Sequence, residues 1–447
     1  MHRSHRTIRT HRTIRLHRIY AGTALVAALV GTALPAARAD SAAPRTSRVS
    51  TGPGGREADG ASSAPAISAD GRYVAFVSAA DNLVRGDRNG VADVFVRDLR
   101  TGRTERVAEG PAETPALSAD GRYVVFATRA ALAKGDDNGL DDIYLVDRRA
   151  HRTHRTHRTH RTERVSTGHT AEPPSFRLNY DPEISADGRY IAYSTAAADA
   201  APGDTDDRDD VIVHDRRTGR NELVQYRTDG TLGDSPSFLP SFSADGRYVA
   251  FTTAAQLDPA HEWTHGTNVY VRDRAAGTTE QVSIPTRFVY KSGSWGPSMS
   301  ADARYVAFSS NVDNLVAGDT NKTTDVFVFD RKLQTTRRLS TAADGGQSDG
   351  ASQGVSLSAD GHRAAFVSSA DNLVPGDTDG VADVFVKDLR TGAVQRIGRA
   401  ADGGQPDGPS DAVSLSTGGR VAFSSTATNL VPYDTNGVAD IFVGRLW

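Results

Sequence analysis

The nonapeptide Ser68-Ala69-Asp70-Gly71-Arg72-Tyr73-Val74-Ala75-Phe76 returns along the chain, with near copies beginning at Ser118, Ser185, Ser243, Ser300, Ser358 and Ser416. The gaps between these serines are 50, 67, 58, 57, 58 and 58 residues. Each copy is followed by a stretch of the kind Gly-Asp-x-Asn-Gly-x-x-Asp-Val-Phe-Val-x-Asp and then by a short Glu-Arg-Val-Ser run. A fixed period of this size means that one supersecondary unit is arrayed several times, since a single unit cannot bury its own apolar face. A length of 447 residues would ordinarily suggest two or three domains. Seven units sharing one core remove that inference.

Within the first unit, Pro65-Ala66-Ile67-Ser68 is a short strand entering the Asp70-Gly71 turn, a strong hairpin signal because glycine accepts positive φ at no steric cost. Arg72 to Ser78 gives a second strand, Asp93 to Asp98 a third, and Glu105-Arg106-Val107 a fourth after Thr101-Gly102. Four short strands rich in Val, Phe and Ile, without helical periodicity, read as one blade of a β-propeller. Six repeats carry their own fourth strand, around Arg106, Arg164, Leu223, Gln281, Arg338 and Arg396. The seventh stops after its third, Asp440-Ile441-Phe442-Val443, and the missing strand stands far upstream as Ser47-Arg48-Val49-Ser50. The expectation is an all-β, seven-bladed β-propeller of four-stranded blades, closed by an N-terminal strand that removes two exposed sheet edges.

The repeated Ser-Ala-Asp-Gly-Arg-Tyr-Val-Ala-Phe and Asp-Val-Phe-Val-x-Asp segments resemble the WD40-like (PD40), TolB-like propeller repeat family over roughly residues 45–447. The resemblance implies the fold and says little about activity. TolB-type proteins carry an additional N-terminal α/β domain for which this chain has no room, so their envelope partners are not implied.

Residues 1–39 read as an export signal. Arg3, Arg6, Arg9, Arg12, Arg15 and Arg18 form a basic region, Ala21 to Leu34 an apolar one, and Ala37-Arg38-Ala39 a small-x-small cleavage site. The apolar run of about 14 residues is short of the ~20 that a membrane span needs; a retained anchor is the alternative. Without cysteine there is neither a lipobox nor a disulfide. Cleavage after Ala39 would leave 45 basic against 55 acidic side chains in residues 40–447, a net charge of about −10. That disfavours nucleic acid and anionic membranes as partners and suits cation binding. Residues 151–162 are four copies of His-Arg-Thr inserted between the third and fourth strands of blade 2. Triplet expansion in a tolerant turn and a nickel or zinc tract are the two readings.

The loop between the second and third strands is the best candidate for chemistry. It places oxygen-bearing side chains at a 1, 3, 7 spacing in six of the seven blades: Asp87, Asn89 and Asp93; Asp136, Asn138 and Asp142; Asp204, Asp206 and Asp210; Asp319, Asn321 and Asp325; Asp377, Asp379 and Asp383; Asp434, Asn436 and Asp440. Calcium takes six to eight hard oxygens on tightly turned loops, so structural Ca2+ is one expectation. Paired carboxylates about 4 Å apart repel by ~1–4 kcal/mol at intermediate dielectric, a cost that a cation would relieve. Asx turn chemistry is the other expectation. A leucine four residues before the first Asp in five blades (Leu83, Leu132, Leu315, Leu373 and Leu430) suggests loops folded onto the core.

Two strings mimic catalytic motifs. His261-Glu262-Trp263-Thr264-His265 matches His-Glu-x-x-His but lies in a short loop of blade 4 where the helix which that motif requires hardly fits. Gly346-Gln347-Ser348-Asp349-Gly350 matches Gly-x-Ser-x-Gly, yet one blade later Pro406 holds the place of the serine. Sialidase boxes and an attached hydrolase domain are not evident.

Strand alternation puts the Asp-x-Asn loops and the long blade-to-blade loops on one face, with Phe176, Tyr180, Phe238, Phe288, Tyr290 and Trp295 among them. The expected function is an exported, monomeric, non-enzymatic binding or scaffold module that meets a protein or glycan through this face. The competing class is a propeller glycosidase, lyase or sialidase-like enzyme with its site in the central channel. A cluster of unlike polar residues at the channel mouth would mark it, and blades 3 to 5 are the idiosyncratic ones.

Overall fold

The computed structural model describes residues 46–154, 157–167, 178–261, 266–287 and 292–446, and these form seven antiparallel sheets of four strands. Blade 1 runs Ser62–Ile67, Tyr73–Ser78, Asp93–Asp98 and Arg103–Ala108, from the inside outward. The inner strands of the other blades are Ala112–Leu117, Asn179–Ile184, Ser237–Phe242, Ser294–Met299, Ser352–Leu357 and Ser410–Leu415. Inner strands of successive blades touch one another and surround a central channel. The second and third strands are apolar on both faces because each sheet is covered by its neighbours. Ala75, Val94 and Val96 of blade 1 thus share a cluster with Val124, Phe126 and Tyr144 of blade 2. In six blades a ring on the second strand stacks on one opposite it, as Phe76 does on Phe95 at 5.8 Å between centroids.

The recurrent Ser-Ala-Asp-Gly-Arg-Tyr segment has a task for each residue. Ser68 Oγ donates to Asp70 and accepts the Tyr73 N–H at 3.0 Å. The alanines let the turns meet: Ala119 N donates to Ala186 O, Ala186 N to Ala244 O, Ala244 N to Ala301 O and Ala301 N to Ala359 O, a belt of backbone hydrogen bonds at one end of the channel. Gly121 has φ 63°, and a Cβ there would lie 2.4 Å from the Tyr73 ring of the preceding blade, so both conformation and packing require glycine. Arg72 forms a bidentate pair with Asp98 and lies 4.7 Å over the Tyr73 ring. The other side of that ring is covered by Arg148 of blade 2, which also reaches Glu105 of blade 1. Arg216, Arg274 and Arg331 repeat this clamp on Tyr123, Tyr190 and Tyr248. Blades 2 to 5 are therefore bound to their predecessors by cation–π and ionic contacts. Blades 6 and 1 have Leu389 and Leu99 in the place of the arginine.

The ring closes as expected from the sequence. Ser47 pairs with Val443 and Arg48 with Phe442, making Ser47–Arg48 the outer strand of the last blade. Val49 N then donates to Ile441 O at 2.7 Å, and the Val49 side chain is buried between the last blade and the first. The His-Arg-Thr tract adds length to two strands of blade 2, Asp142–His154 and His157–Arg164, with His154 opposite His157. Its side chains, and residues 1–39, whose sequence reads as an export signal, lie outside the described residues.

Two predictions follow from these contacts. Arg48→Ala leaves two buried carboxylates of the last blade uncompensated, and is expected to cost about 3 kcal/mol in denaturant unfolding; deletion of residues 40–51 should cost more. Separately, hydrogen bonds from Arg72, Arg189 and Arg247 hold Asp98, Asp215 and Asp273 down to about 2. Folded values below the unfolded carboxylate range give stability that is present above about pH 4 and lost as pH falls toward about 2. Tm should drop across that window, and Asp98→Asn should lower Tm at neutral pH while shrinking the acid-induced drop.

Candidate functional site: the loop carboxylates and the channel mouth

The Asp-x-Asn loops are charged at both ends, and in five blades the chain itself supplies the counter-charge. Arg106 Nη1 lies 2.8 Å from Asp87 and 2.9 Å from Asp93. Arg164 spans Asp136 and Asp142 at 3.7 and 3.4 Å, and Arg338 spans Asp319 and Asp325 at 3.3 and 3.6 Å. Arg396 bridges Asp377 and Asp383 at 3.1 and 3.0 Å. In blade 7 the arginine comes from the closing strand: Arg48 is 3.1 Å from both Asp434 and Asp440. Each of these arginines stands opposite the aromatic residue of the third strand (Phe95, Tyr144, Phe327, Phe385 and Phe442), one register position used five times.

The asparagines point the same way. Asn89, Asn138, Asn321 and Asn436 donate from Nδ2 to Asp93, Asp142, Asp325 and Asp440, while their Oδ1 atoms accept backbone N–H groups two residues on. Their amide oxygens are thus used in Asx turns rather than turned toward the paired carboxylates. Leu83, Leu315, Leu373 and Leu430 are buried beneath the loops and Leu132 half-buried. In these five loops a guanidinium holds the place proposed for calcium from the sequence.

Blades 3 and 4 depart in different ways. Blade 4 has Gln281 at the arginine register and Asn268 in place of the last Asp, and the two amides bond each other at 3.2 Å. Both charges are replaced together. Blade 3 has Leu223 at that register and retains Asp204, Asp206 and Asp210, whose carboxylate oxygens converge within 4.8 Å. Burial, then the charges of Asp204 and Asp206, push Asp210 up to about 7. The other convergent acidic group, Asp371, Asp377 and Asp379, already has Arg396 at Asp377.

Neither mimic of a catalytic motif gains support. Ser348 is buried and donates to Asp325 at 2.9 Å, as part of the loop network. His261 Nδ1 faces Asp258 at 3.1 Å, and residues 262–265 lie outside the described residues.

The inner strands shape a second candidate. Each has a left-handed residue at its third place: Ala64, Thr114, Asp181, Leu239, Gly296, Gly354 and Ala412. The register shift beside it in every blade is a β-bulge that turns the strand where the channel opens onto the long-loop face. A cavity of about 500 Å3 occupies this mouth, lined by Trp295, Asp181, Glu183, Gln353 and Asp411 among others; no Lys, Arg or His is among its described lining residues. Round the rim, the second residue of the inner strand is aromatic in blades 3 to 5 (Tyr180, Phe238 and Trp295) and polar elsewhere (Ser63, Glu113, Gln353 and Asp411). Phe176, Phe288 and Tyr290 lie outside the described residues.

Deeper in the channel, the fifth place of the inner strand is Ala66, Ala116, Glu183, Ser241, Ser298, Ser356 and Ser414. The four serines each accept the N–H of the next inner strand, at 2.9 to 3.2 Å. Glu183 stands alone among them as a charge, and burial pushes it up to about 7, with Asp181 adding to the rise. Sequence reasoning passed over it, although Pro-Glu-Ile against Pro-Ala-Ile and Pro-Ser-Phe was its signal. A raised folded value gives stability that is full below about pH 4 and lost as pH rises through about 7. Glu183→Gln is therefore expected to raise Tm at about pH 8 and leave it nearly unchanged at about pH 4, as read by calorimetry.

No protein-family model and no curated protein matches the sequence. Solved structures are similar in fold. The β-propeller domain of the Trilobed protease from Pyrococcus furiosus, which has an open velcro topology, is 11% identical with TM-score 0.52, over 86% of this chain and 95% of that one. An oligogalacturonate lyase from Vibrio parahaemolyticus is 12% identical with TM-score 0.53, over 90% and 93%. A putative TolB from Agrobacterium tumefaciens is 17% identical with TM-score 0.43, over 78% and 96%, a looser superposition that carries no argument. At these identities the likeness is one of fold. Among the described residues no helix is long and apolar enough to cross a membrane.

Proposed function

We propose that the chain is an exported, non-enzymatic binding propeller, and that its channel mouth on the long-loop face receives a cationic, partly apolar group of a protein partner. The observation that carries this reading is the lining of the mouth, where Glu183 and Asp411 stand among described lining residues that include no Lys, Arg or His, and Trp295 offers an aromatic surface. A lysine or arginine side chain suits such a site, because carboxylates supply charge and an indole supplies a face for the cation. Export rests on the basic and apolar segments of residues 1–39. The oligogalacturonate lyases share the fold, but an oligogalacturonate is a polyanion, and an acidic mouth repels it.

The test is titration of residues 40–447 with basic, neutral and acidic peptides and with oligogalacturonate, followed through tryptophan fluorescence and calorimetry. Basic peptides should bind, Glu183→Gln with Asp411→Asn should weaken them at least tenfold, and Trp295→Ala should abolish the optical signal. Binding or cleavage of oligogalacturonate, with no binding of basic peptides, would overturn the proposal in favour of an enzyme.

A further inference from the structure

The seven blades are internal controls for one another. In five, two loop carboxylates enclose an arginine at a fixed register. In blade 4 both partners have become neutral amides. Blade 3 alone has lost the cation and kept the anions, and it has gained one, since Asp206 replaces the asparagine found in four of the other loops.

A second observation points into the same place. Asp204 is 8% exposed, and its Oδ1 is buried with no hydrogen-bond partner. Its other oxygen accepts the Ala200 N–H at 3.2 Å, so the side chain is anchored with one oxygen left over. Gln225 Nε2 donates to Asp210 Oδ1, and the Asp206 carboxylate meets Arg208 at 3.0 Å at the exposed edge. Arg208 is half exposed and engages only this outer carboxylate, so it does not replace the inner guanidinium of the other blades. A buried, unsatisfied carboxylate oxygen is expensive unless a cation or a proton meets it.

We propose that Asp204, Asp206 and Asp210 bind one calcium ion, which takes the place of the missing arginine in blade 3. Three carboxylates on one tight loop give the all-oxygen, anionic donor set of such sites, with water completing the coordination. The ion would fix the loop that connects the second and third strands of blade 3, as Arg106 fixes its counterpart in blade 1. This inference is independent of the reading of the channel mouth.

The proposal is tested on the whole chain by thermal unfolding in calcium, in magnesium and in chelator, and by terbium luminescence sensitised by Tyr226, which lies close to Gly203 of the loop. Calcium at a hundred times its Kd should raise Tm by several degrees, and magnesium should not match it. Calcium should displace terbium with a stoichiometry of one. Leu223→Arg restores the guanidinium of the other blades and should abolish both the Tm shift and the terbium signal. Because an arginine at the buried Leu223 can also impair folding, Asp206→Asn at the exposed edge serves as the second variant, with calcium affinity expected to fall at least tenfold. If wild-type Tm is the same in calcium and chelator and terbium gives no signal, the proposal fails, and a proton shared between Asp204 and Asp210 meets the buried oxygen instead. A calcium shift that survives Asp206→Asn unchanged would overturn the assignment equally.

Discussion

A guanidinium held between two carboxylates is the contact on which the outer edge of this ring depends. Without it, each Asp-x-Asn loop would bring two anions together beside an apolar core, at a cost of ~1–4 kcal/mol per pair at intermediate dielectric. With it, the loop folds down over a buried leucine and leaves its asparagine free to close an Asx turn. The arginine belongs to the outer strand, so the loop and that strand are tied to each other. In the last blade the outer strand comes from the opposite end of the sequence, and the tie becomes a means of selection: Arg48 brings to the seam the charge that Asp434 and Asp440 lack.

Contacts between blades follow a different rule. In blades 1 to 4, each tyrosine beside an alanine turn lies between an arginine of its own blade and one of the next. Around blades 6, 7 and 1 leucines serve instead, and Leu389 packs with Tyr305 in an apolar cluster. The two halves of the ring are joined by chemistry of different kinds, one sensitive to salt and one not. The channel rim is divided as well, with aromatic side chains in blades 3 to 5 and polar ones elsewhere.

Much of the architecture was legible in the sequence because each repeat spells the same four strands, and because a third strand without a fourth demands a partner. Ser47-Arg48-Val49-Ser50 could be placed for that reason alone. The loop chemistry was half legible. The paired carboxylates are plain in the string, but the arginine that answers them lies 13 to 22 residues downstream of the last Asp in blades 1, 2, 5 and 6 and hundreds upstream in blade 7. The repeats align these residues in the string, but only the structure shows that this one register position faces the paired carboxylates. The same register turns Leu223 from an ordinary apolar residue into an absence of charge. Glu183 shows in the string only as Pro-Glu-Ile against Pro-Ala-Ile and Pro-Ser-Phe; that this place faces the channel, with serine or alanine in every other blade, appears once the inner strands are aligned in space.

The closing strand also bears on how the molecule comes to be. Ser47 and Val443 are 396 residues apart, whereas an ordinary outer strand follows its neighbour after a short turn. A chain made from its N-terminus must carry this segment unpaired until the last blade has been completed. Closure entropy grows only logarithmically with length, so about six doublings from a short turn add roughly 4 kcal/mol. Breaking a buried ion pair costs ~3–5 kcal/mol, a comparable amount. The arginine on the first strand is of the size needed to offset the length of the circuit it completes, and the ring locks only when its two oldest and youngest strands have met.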